Sequence, residues 1–174
     1  MKTDFYIFIS FFIIALVSYL FSTTNLNLFA NSYVPLNTTA LRISTISSPS
    51  NYVLFKTPNN STLNCSLAIT QQQQQTGLMY QESLCPNCCM LFVFQNNDIH
   101  SFWMKNTLIP LDEVYLSQSF SVVEVYLNFL PCPLNSTNCP VYTPHSNSVY
   151  VMELNAGQAN ERGLIVGANL TLIK

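Results

Sequence analysis

From residue 51 to the carboxyl terminus the sequence breaks into short apolar runs, rich in β-branched and aromatic residues, separated by clusters of Asn, Ser, Pro and Gly. This rhythm constrains the fold more than any other feature, because runs of about 4–8 such residues between turn signals specify strands. Strands are expected at Tyr52 to Lys56, Cys65 to Thr70, Met90 to Gln95, Ser101 to Met104, Glu113 to Leu116, Val122 to Leu130, Ser148 to Leu154 and Leu170 to Ile173. Two helices are expected, one in "QQQQQTGLMYQESL", built from tolerant helix formers and stopped by "CPN", and a shorter one at about Ala156 to Arg162. The five glutamines read as a solvated helical face. The fold class is mainly β (β-rich α+β): a small, partly open β-barrel or sandwich over residues 51–174.

Two segments of different character precede this domain. In residues 1–21, "MKTDFYIFISFFIIALVSYLF", the apolar run from Phe5 to Phe21 is interrupted only by Ser10 and Ser18, and Tyr6 and Tyr19 stand near its ends. It lies at the lower edge of the roughly 17–25 residues that a spanning helix needs. A secretory signal has a shorter apolar core and a small-x-small cleavage site, which the residues around Ser22 and Ala30 match poorly. The expectation is an uncleaved transmembrane anchor, with a cleaved signal as the alternative. The domain would then lie outside the cytosol, at the cell surface or envelope. Residues 22–50 are dominated by Ser, Thr and Asn and read as a stalk.

Composition excludes several function classes. Six Lys and Arg against eight Asp and Glu leave a net charge of −2 and no basic stripe, so nucleic acid is not an expected partner. Four glycines form no phosphate-binding loop, His100 and His145 fall in no recognisable triad, and no cofactor is implied. Asn-x-Ser/Thr acceptors at Asn37, Asn59, Asn60, Asn64, Asn135 and Asn169 fit exposure to a glycosylating compartment. So does the even count of six cysteines. Cys132 and Cys139 bracket a Pro- and Asn-rich loop and are expected to form a disulfide; Cys85 and Cys88 are further disulfide candidates, with the pairing among Cys65, Cys85, Cys88 and Cys89 left open.

Two other uses of the cysteines were weighed. Disulfide oxidoreductases place Cys-x-x-Cys at a helix amino terminus, whereas "CPNC" follows the expected helix and precedes a strand. A zinc site built from Cys85, Cys88, Cys89, Cys132 and Cys139 competes with oxidation outside the cytosol, and the second spacing is long for a zinc knuckle. Structural disulfides are therefore expected, and no metal site.

The blocks "GLMYQESL", "CMLFVF", "FWMKNTLIPLD", "FLPCP", "NCPVY", "YVMELNAGQA" and "GLIVGANL" occur in an order and spacing that resembles domain of unknown function 192, from about Cys65 to the carboxyl terminus. The resemblance implies a compact β-rich domain, often behind a signal or anchor, with no established activity. Gln74 and Gln81 stand where the family commonly has arginines, Cys89 where it has a glycine, and the "CPNCC" cluster lies outside the common pattern.

"SFWMKNTLIPLDEVYL" holds the chain's only tryptophan, two positions from Lys105. On a strand, Trp103 and Lys105 share a face. Lys105 is read first as a buried counter-ion for Asp112 or Glu153 and second as a ligand contact. The candidate ligand-binding residues are Trp103, Lys105, Asn106, Asp112 and Glu153, although Asn106 also fits a turn role before Pro110. The leading expectation is a non-catalytic envelope module binding a small molecule, glycan or partner protein. The alternatives are an enzyme using Lys105 with Asp112 or Glu153, and a thiol-disulfide factor using Cys85 and Cys88.

Overall fold

The computed structural model describes residues 51–133, 136 and 138–173. The anchor, the stalk, Asn37 and Asn135 lie outside the described residues. Among the described residues nine strands form in chain order: β1 (Tyr52–Lys56), β2 (Thr62–Ala68), β3 (Cys88–Asp98), β4 (Phe102–Trp103), β5 (Leu111–Leu116), β6 (Val122–Phe129), β7 (Val141–Tyr142), β8 (Ser148–Asn155) and β9 (Thr171–Leu172). Helix α1 spans Gln71–Thr76 and helix α2 spans Gln158–Glu161. Seven strands make one sheet, in the order β6-β5-β8-β3-β2-β1-β9, which curls into a half-barrel; β4 and β7 form a separate two-stranded ribbon.

All neighbouring strands run antiparallel except β2 and β3, which pair in parallel from Asn64↔Cys88 to Ala68↔Phe92. A parallel pair requires a crossover, and residues 69–87, with α1, supply it. Helix α1 starts at a complete capping box in which the Thr70 hydroxyl and the Gln73 side chain serve each other's backbone amides. It is much shorter than the expected helix through Leu84. Gly77 turns the chain at φ +47° and ψ −132°, a conformation open to glycine, and Tyr80 follows at φ +62°. The expectation also missed β7, which is too short to carry a periodic signal.

Strand alternation divides the core between the two faces of the sheet. Val53, Phe55, Leu63, Cys65, Leu91, Val114, Leu116, Met152 and Leu154 pack on one face with Phe120, Ala159, Leu164 and Leu170. This face is closed by α2 and the segment after it. The other face carries Ala68, Phe92, Tyr115 and Val151 beneath Phe102 and Tyr142 of the ribbon. It is the face on which the polar groups collect.

Three disulfides join Cys65 to Cys89, Cys85 to Cys88 and Cys132 to Cys139. The first links register partners on the parallel strands β2 and β3, its two residues buried in the core. The described sequon residues Asn59, Asn60, Asn64 and Asn169 are exposed. Asn59 Nδ2 nevertheless donates to the Glu161 carbonyl at 2.7 Å, and Asn169 Oδ1 accepts from the Ser121 hydroxyl.

Candidate functional site

Cross-strand register places two carboxyl groups opposite one another. Glu113 on β5 pairs directly with Glu153 on β8, and strand alternation points both toward the ribbon-covered face. Glu113 is fully buried, and its Oε2 accepts a hydrogen bond from the Tyr115 hydroxyl at 2.7 Å. Glu153 is 5% exposed, and its Oε2 meets no hydrogen-bonding partner among the described residues, as is also true of Glu113 Oε1. Burial pushes Glu113 up to about 7, with the Tyr115 hydrogen bond acting weakly against it. Burial, then repulsion from Glu113, holds Glu153 well above the carboxylate range. The Tyr115 phenol is raised by burial and by Glu113 beneath it.

A cleft opens above Glu153. Its walls are Gln74, Gln75, Gly77, Leu78, Phe92, Phe102, Trp103 and Thr107, and its whole volume is about 30 Å³. Gln74, Gln75, Phe102 and Trp103 also line an adjoining groove of about 360 Å³ that runs past Phe94 and Ile99 to His100 and Ser101. Sequence distance explains the construction: α1 lies on the β2–β3 crossover, and the ribbon strand β4 follows the end of β3, so both lean over the same strand ends. Phe102 packs edge-on against Phe92 with ring centroids 5.0 Å apart, which fixes the wall that carries Trp103. His100 stacks on Phe94 at 3.6 Å and closes the far end.

Trp103 is 45% exposed, and the Lys105 ammonium lies 5.0 Å from the centroid of its ring. The strand expected to align them ends at Trp103 and Lys105 lies in the turn that follows, so the two side chains meet through the turn and not through strand alternation. The buried counter-ion expectation is corrected: Lys105 is exposed and, among the described residues, forms no ion pair with Asp112 or Glu153. Asp112 lies on the opposite face of β5, fully buried, where Oδ1 accepts the Asn128 amide and Oδ2 the Ala159 amide, each at 2.9 Å. It tethers α2 and the end of β6 and does not reach the groove. Asn106, at φ +56°, is a turn residue: Nδ2 donates to the Tyr80 hydroxyl at 2.7 Å and its carbonyl accepts the Tyr80 amide at 2.8 Å. Of the five candidates, Trp103 and Glu153 line one cleft, Lys105 flanks it, Asn106 braces the loop beside it, and Asp112 faces away.

Sequence reasoning missed Glu113, Gln74, Gln75 and Phe102. It also missed Glu124, whose Oε1 accepts the Tyr142 hydroxyl at 2.5 Å and whose Oε2 accepts the His145 and Ser146 amides at 2.8 Å. Burial works against ionisation of Glu124, but these bonds outweigh it and hold its carboxyl below the usual range. The signal for Glu113 was present in the alternation of "LDEVYL", where adjacent acids must face opposite ways.

The cysteines are engaged structurally. The Cys85–Cys88 loop leads directly into β3, and Arg162 grips it through Nη2 to the Pro86 carbonyl at 2.6 Å and to Asn87 Oδ1 at 2.9 Å. With all six cysteines in disulfides, no thiolate remains to bind zinc. No group of acidic, Cys and His side chains suited to a metal ion occurs among the described residues.

Fold and site together define a small, disulfide-braced half-barrel domain with an aromatic-walled groove over a buried carboxyl pair. Residues 53–172 match the family DUF192, described as an uncharacterised ACR, and the chain belongs to this family. A solved structure from Sinorhizobium meliloti 1021, of a protein whose name proposes it as a transcription regulator, is 30% identical with a TM-score of 0.60, the match covering 70% of this chain and 92% of that one. A protein of unknown function from Novosphingobium aromaticivorans DSM 12444 is 26% identical, also with a TM-score of 0.60, over 69% of this chain and 83% of that one. No curated protein matches.

Proposed function

We propose that this protein is a non-catalytic binding module whose groove over Trp103 takes a small molecule or the end of a glycan or partner chain. The observation that carries this reading is a pair of clefts that share Gln74, Gln75, Phe102 and Trp103 as walls, one of them also lined by Glu153, whose buried Oε2 has no hydrogen-bonding partner among the described residues. The groove of about 360 Å³ mixes aromatic side chains with the polar groups of Gln74, Gln75, His100 and Ser101, and a concave site of a few hundred Å³ that can both enclose and orient a ligand is the usual form of a ligand site. A chain with 8% charged residues keeps a buried acid here against the cost of desolvation, which favours a role for that acid.

The same reading carries the domain outside the cytosol on its amino-terminal anchor. The apolar run from Phe5 to Phe21, the cysteines and the sequons support this placement. Among the described residues no helix is long and apolar enough to cross a membrane, and residues 1–21 lie outside them. Protease added to intact cells should remove the domain while an alkaline wash leaves the anchor in the membrane. A soluble mature form beginning shortly after Phe21 would instead establish a cleaved signal.

An enzymatic reading is less well supported. Asp112 is occupied by two backbone amides, and Glu113 is fully buried beneath its neighbours, which leaves Glu153 as the one carboxyl among the described residues that lines the cleft. Trp103 is the chain's only tryptophan, so its emission is a built-in reporter. Titration with a panel of neutral sugars, alcohols, amines and carboxylic acids should shift that emission for at least one class. Trp103→Phe should remove the signal, and calorimetry on that variant should show weakened binding. Binding that persists unchanged in Trp103→Phe would place the site elsewhere.

A further inference from the structure

We infer that the groove is built to receive a primary ammonium group, which enters the adjoining small cleft and pairs with the Glu153 carboxylate. The inference rests on the binding reading above and specifies the ligand's chemistry.

Three observations carry it. The first is size: the whole cleft that Glu153 helps to line holds about 30 Å³, room for roughly one water-sized group, such as an ammonium head, and no ring. The rest of the ligand would lie in the adjoining groove of about 360 Å³. The second is charge. Glu153 Oε2 is nearly fully buried without a partner, Glu113 stands directly across the strand pair, and neither forms an ion pair among the described residues. A buried acid pair in this state gains most from a cation that brings its own donors. The third is the wall: Phe92, Phe102 and Trp103 surround the approach, and an aromatic enclosure favours a cation over an anion. The Lys105 ammonium lies 5.0 Å from the centroid of the Trp103 ring, a cation–π contact at the rim of the approach.

Gly77 belongs to the same device. A Cβ added there would come within 3.2 Å of Phe92 Cζ and 3.8 Å of Glu153 Oε2, so the glycine keeps open the space beside the carboxyl. Gln74 does not fill the role of partner to Glu153, because its side-chain amide is turned to the Val93 carbonyl at 2.8 Å.

Binding would be coupled to a proton. The groups around Glu153 are Glu113 from β5, the Tyr115 hydroxyl bonded to Glu113, and Lys105 beyond the indole. From β3 its register partner is Met90, and α1 contributes only uncharged glutamines and a threonine. Burial, then Glu113, raises Glu153 well above the usual carboxylate value, so at a pH below that raised value the carboxyl must give up a proton to pair with the ammonium. The incoming ammonium keeps its own proton, and the carboxyl proton passes to solvent. Affinity therefore rises with pH, by up to about tenfold per unit, until Glu153 is ionised in the free protein.

The experiment uses n-pentylamine and n-pentanol, equal in shape and differing in charge, followed by Trp103 emission and by calorimetry in two buffers of different ionisation enthalpy. The expected result is at least tenfold tighter binding of n-pentylamine, with net proton release and tightening as pH rises. Glu153→Gln should remove the preference for the amine. If that variant does not fold, the amine-to-alcohol ratio and the proton count on the natural chain decide alone. Cadaverine and glucosamine then distinguish a linear polyamine from an amino sugar, and tight binding of either supports the inference. Equal binding of pentanol and pentylamine, or pH-independent amine binding, overturns it while the groove remains a binding site. Failure of every compound to move Trp103 emission or to give binding heat would remove both readings.

Discussion

Glu113→Gln should reduce the pH dependence of stability and make the protein more stable above neutrality. The Glu113 carboxyl is fully buried and is pushed from 4.5 to about 7, chiefly by burial. Between these values the native protein holds a proton that the unfolded chain has released, so stability falls as pH rises through this window. Above it, the fold bears the whole cost of an ionised carboxylate in apolar surroundings. A displacement of that size is equivalent to about 3 kcal/mol. Gln remains neutral and its carbonyl still accepts the Tyr115 hydroxyl, which now lies 2.7 Å from Glu113 Oε2. Its amide, however, takes the place of Oε1, which has no partner among the described residues, and a buried unmet donor costs about 1–2 kcal/mol. The net expectation is a gain of about 1–2 kcal/mol near pH 8 and a loss of similar size near pH 4.5, where Glu113 is already neutral. Because burial also raises Glu153, the same-signed slope is diminished and not abolished. Urea denaturation at the two pH values, followed by Trp103 emission with disulfides intact, measures both changes. Parallel shifts of the natural and variant midpoints with pH would refute the argument, as would a variant less stable near pH 8.

Asp112→Asn leaves one carbonyl oxygen to serve two backbone amides, that of Asn128 in a part-buried bond and that of Ala159 in a buried one, and should destabilise by about 1–3 kcal/mol in denaturant melts; a change under about 0.5 kcal/mol would contradict the tethering role. Lys105→Met should cost no more than about 1 kcal/mol, the scale of an exposed cation–π contact, whereas a loss of several kcal/mol would restore the buried counter-ion account. Gly77→Ala should cost about 1–3 kcal/mol and perturb Trp103 emission, since the residue sits at φ +47° with Phe92 close by; a neutral thermal melt would show the turn to be unstrained. Opening the Cys132–Cys139 disulfide by a double Ser substitution should cost about 2.5 kcal/mol, the chain-entropy value for a closure with a sequence separation of 7, and unchanged urea midpoints would count against it.

Much of the sheet was legible in the sequence. Tyr52–Lys56 matches β1 to the residue, and β5, β6 and β8 differ from expectation only at their ends, because alternation and β-branched content are carried locally. The β2 boundary was less legible: "TLNCSLA" begins among Ser, Thr and Asn, and residues that favour turns hid its first half. Helix α1 was overextended because Leu78 and Met79 are good helix formers, and propensity could not outweigh the turn at Gly77. The Cys132–Cys139 pair follows from spacing, while the pairing of the other four cysteines was open in the sequence, and Cys65–Cys89 required the unforeseen parallel register of β2 and β3.

The candidate site marks where local information ends. By itself the sequence determined the strand-rich class, the family, the nearness of Trp103 to Lys105, and the rule that Asp112 and Glu113 face opposite ways. Only tertiary structure decided which of those two acids turns toward the groove, and that Glu113 stands across from Glu153. It alone also brought Gln74 and Gln75 of α1 over the same strand ends as Phe102. The physical reason is that a strand's alternation is set by backbone geometry within a few residues, whereas its register and the face it buries depend on partners far along the chain. A shift of one position in the pairing of β5 with β8 would exchange Asp112 for Glu113 on the groove side.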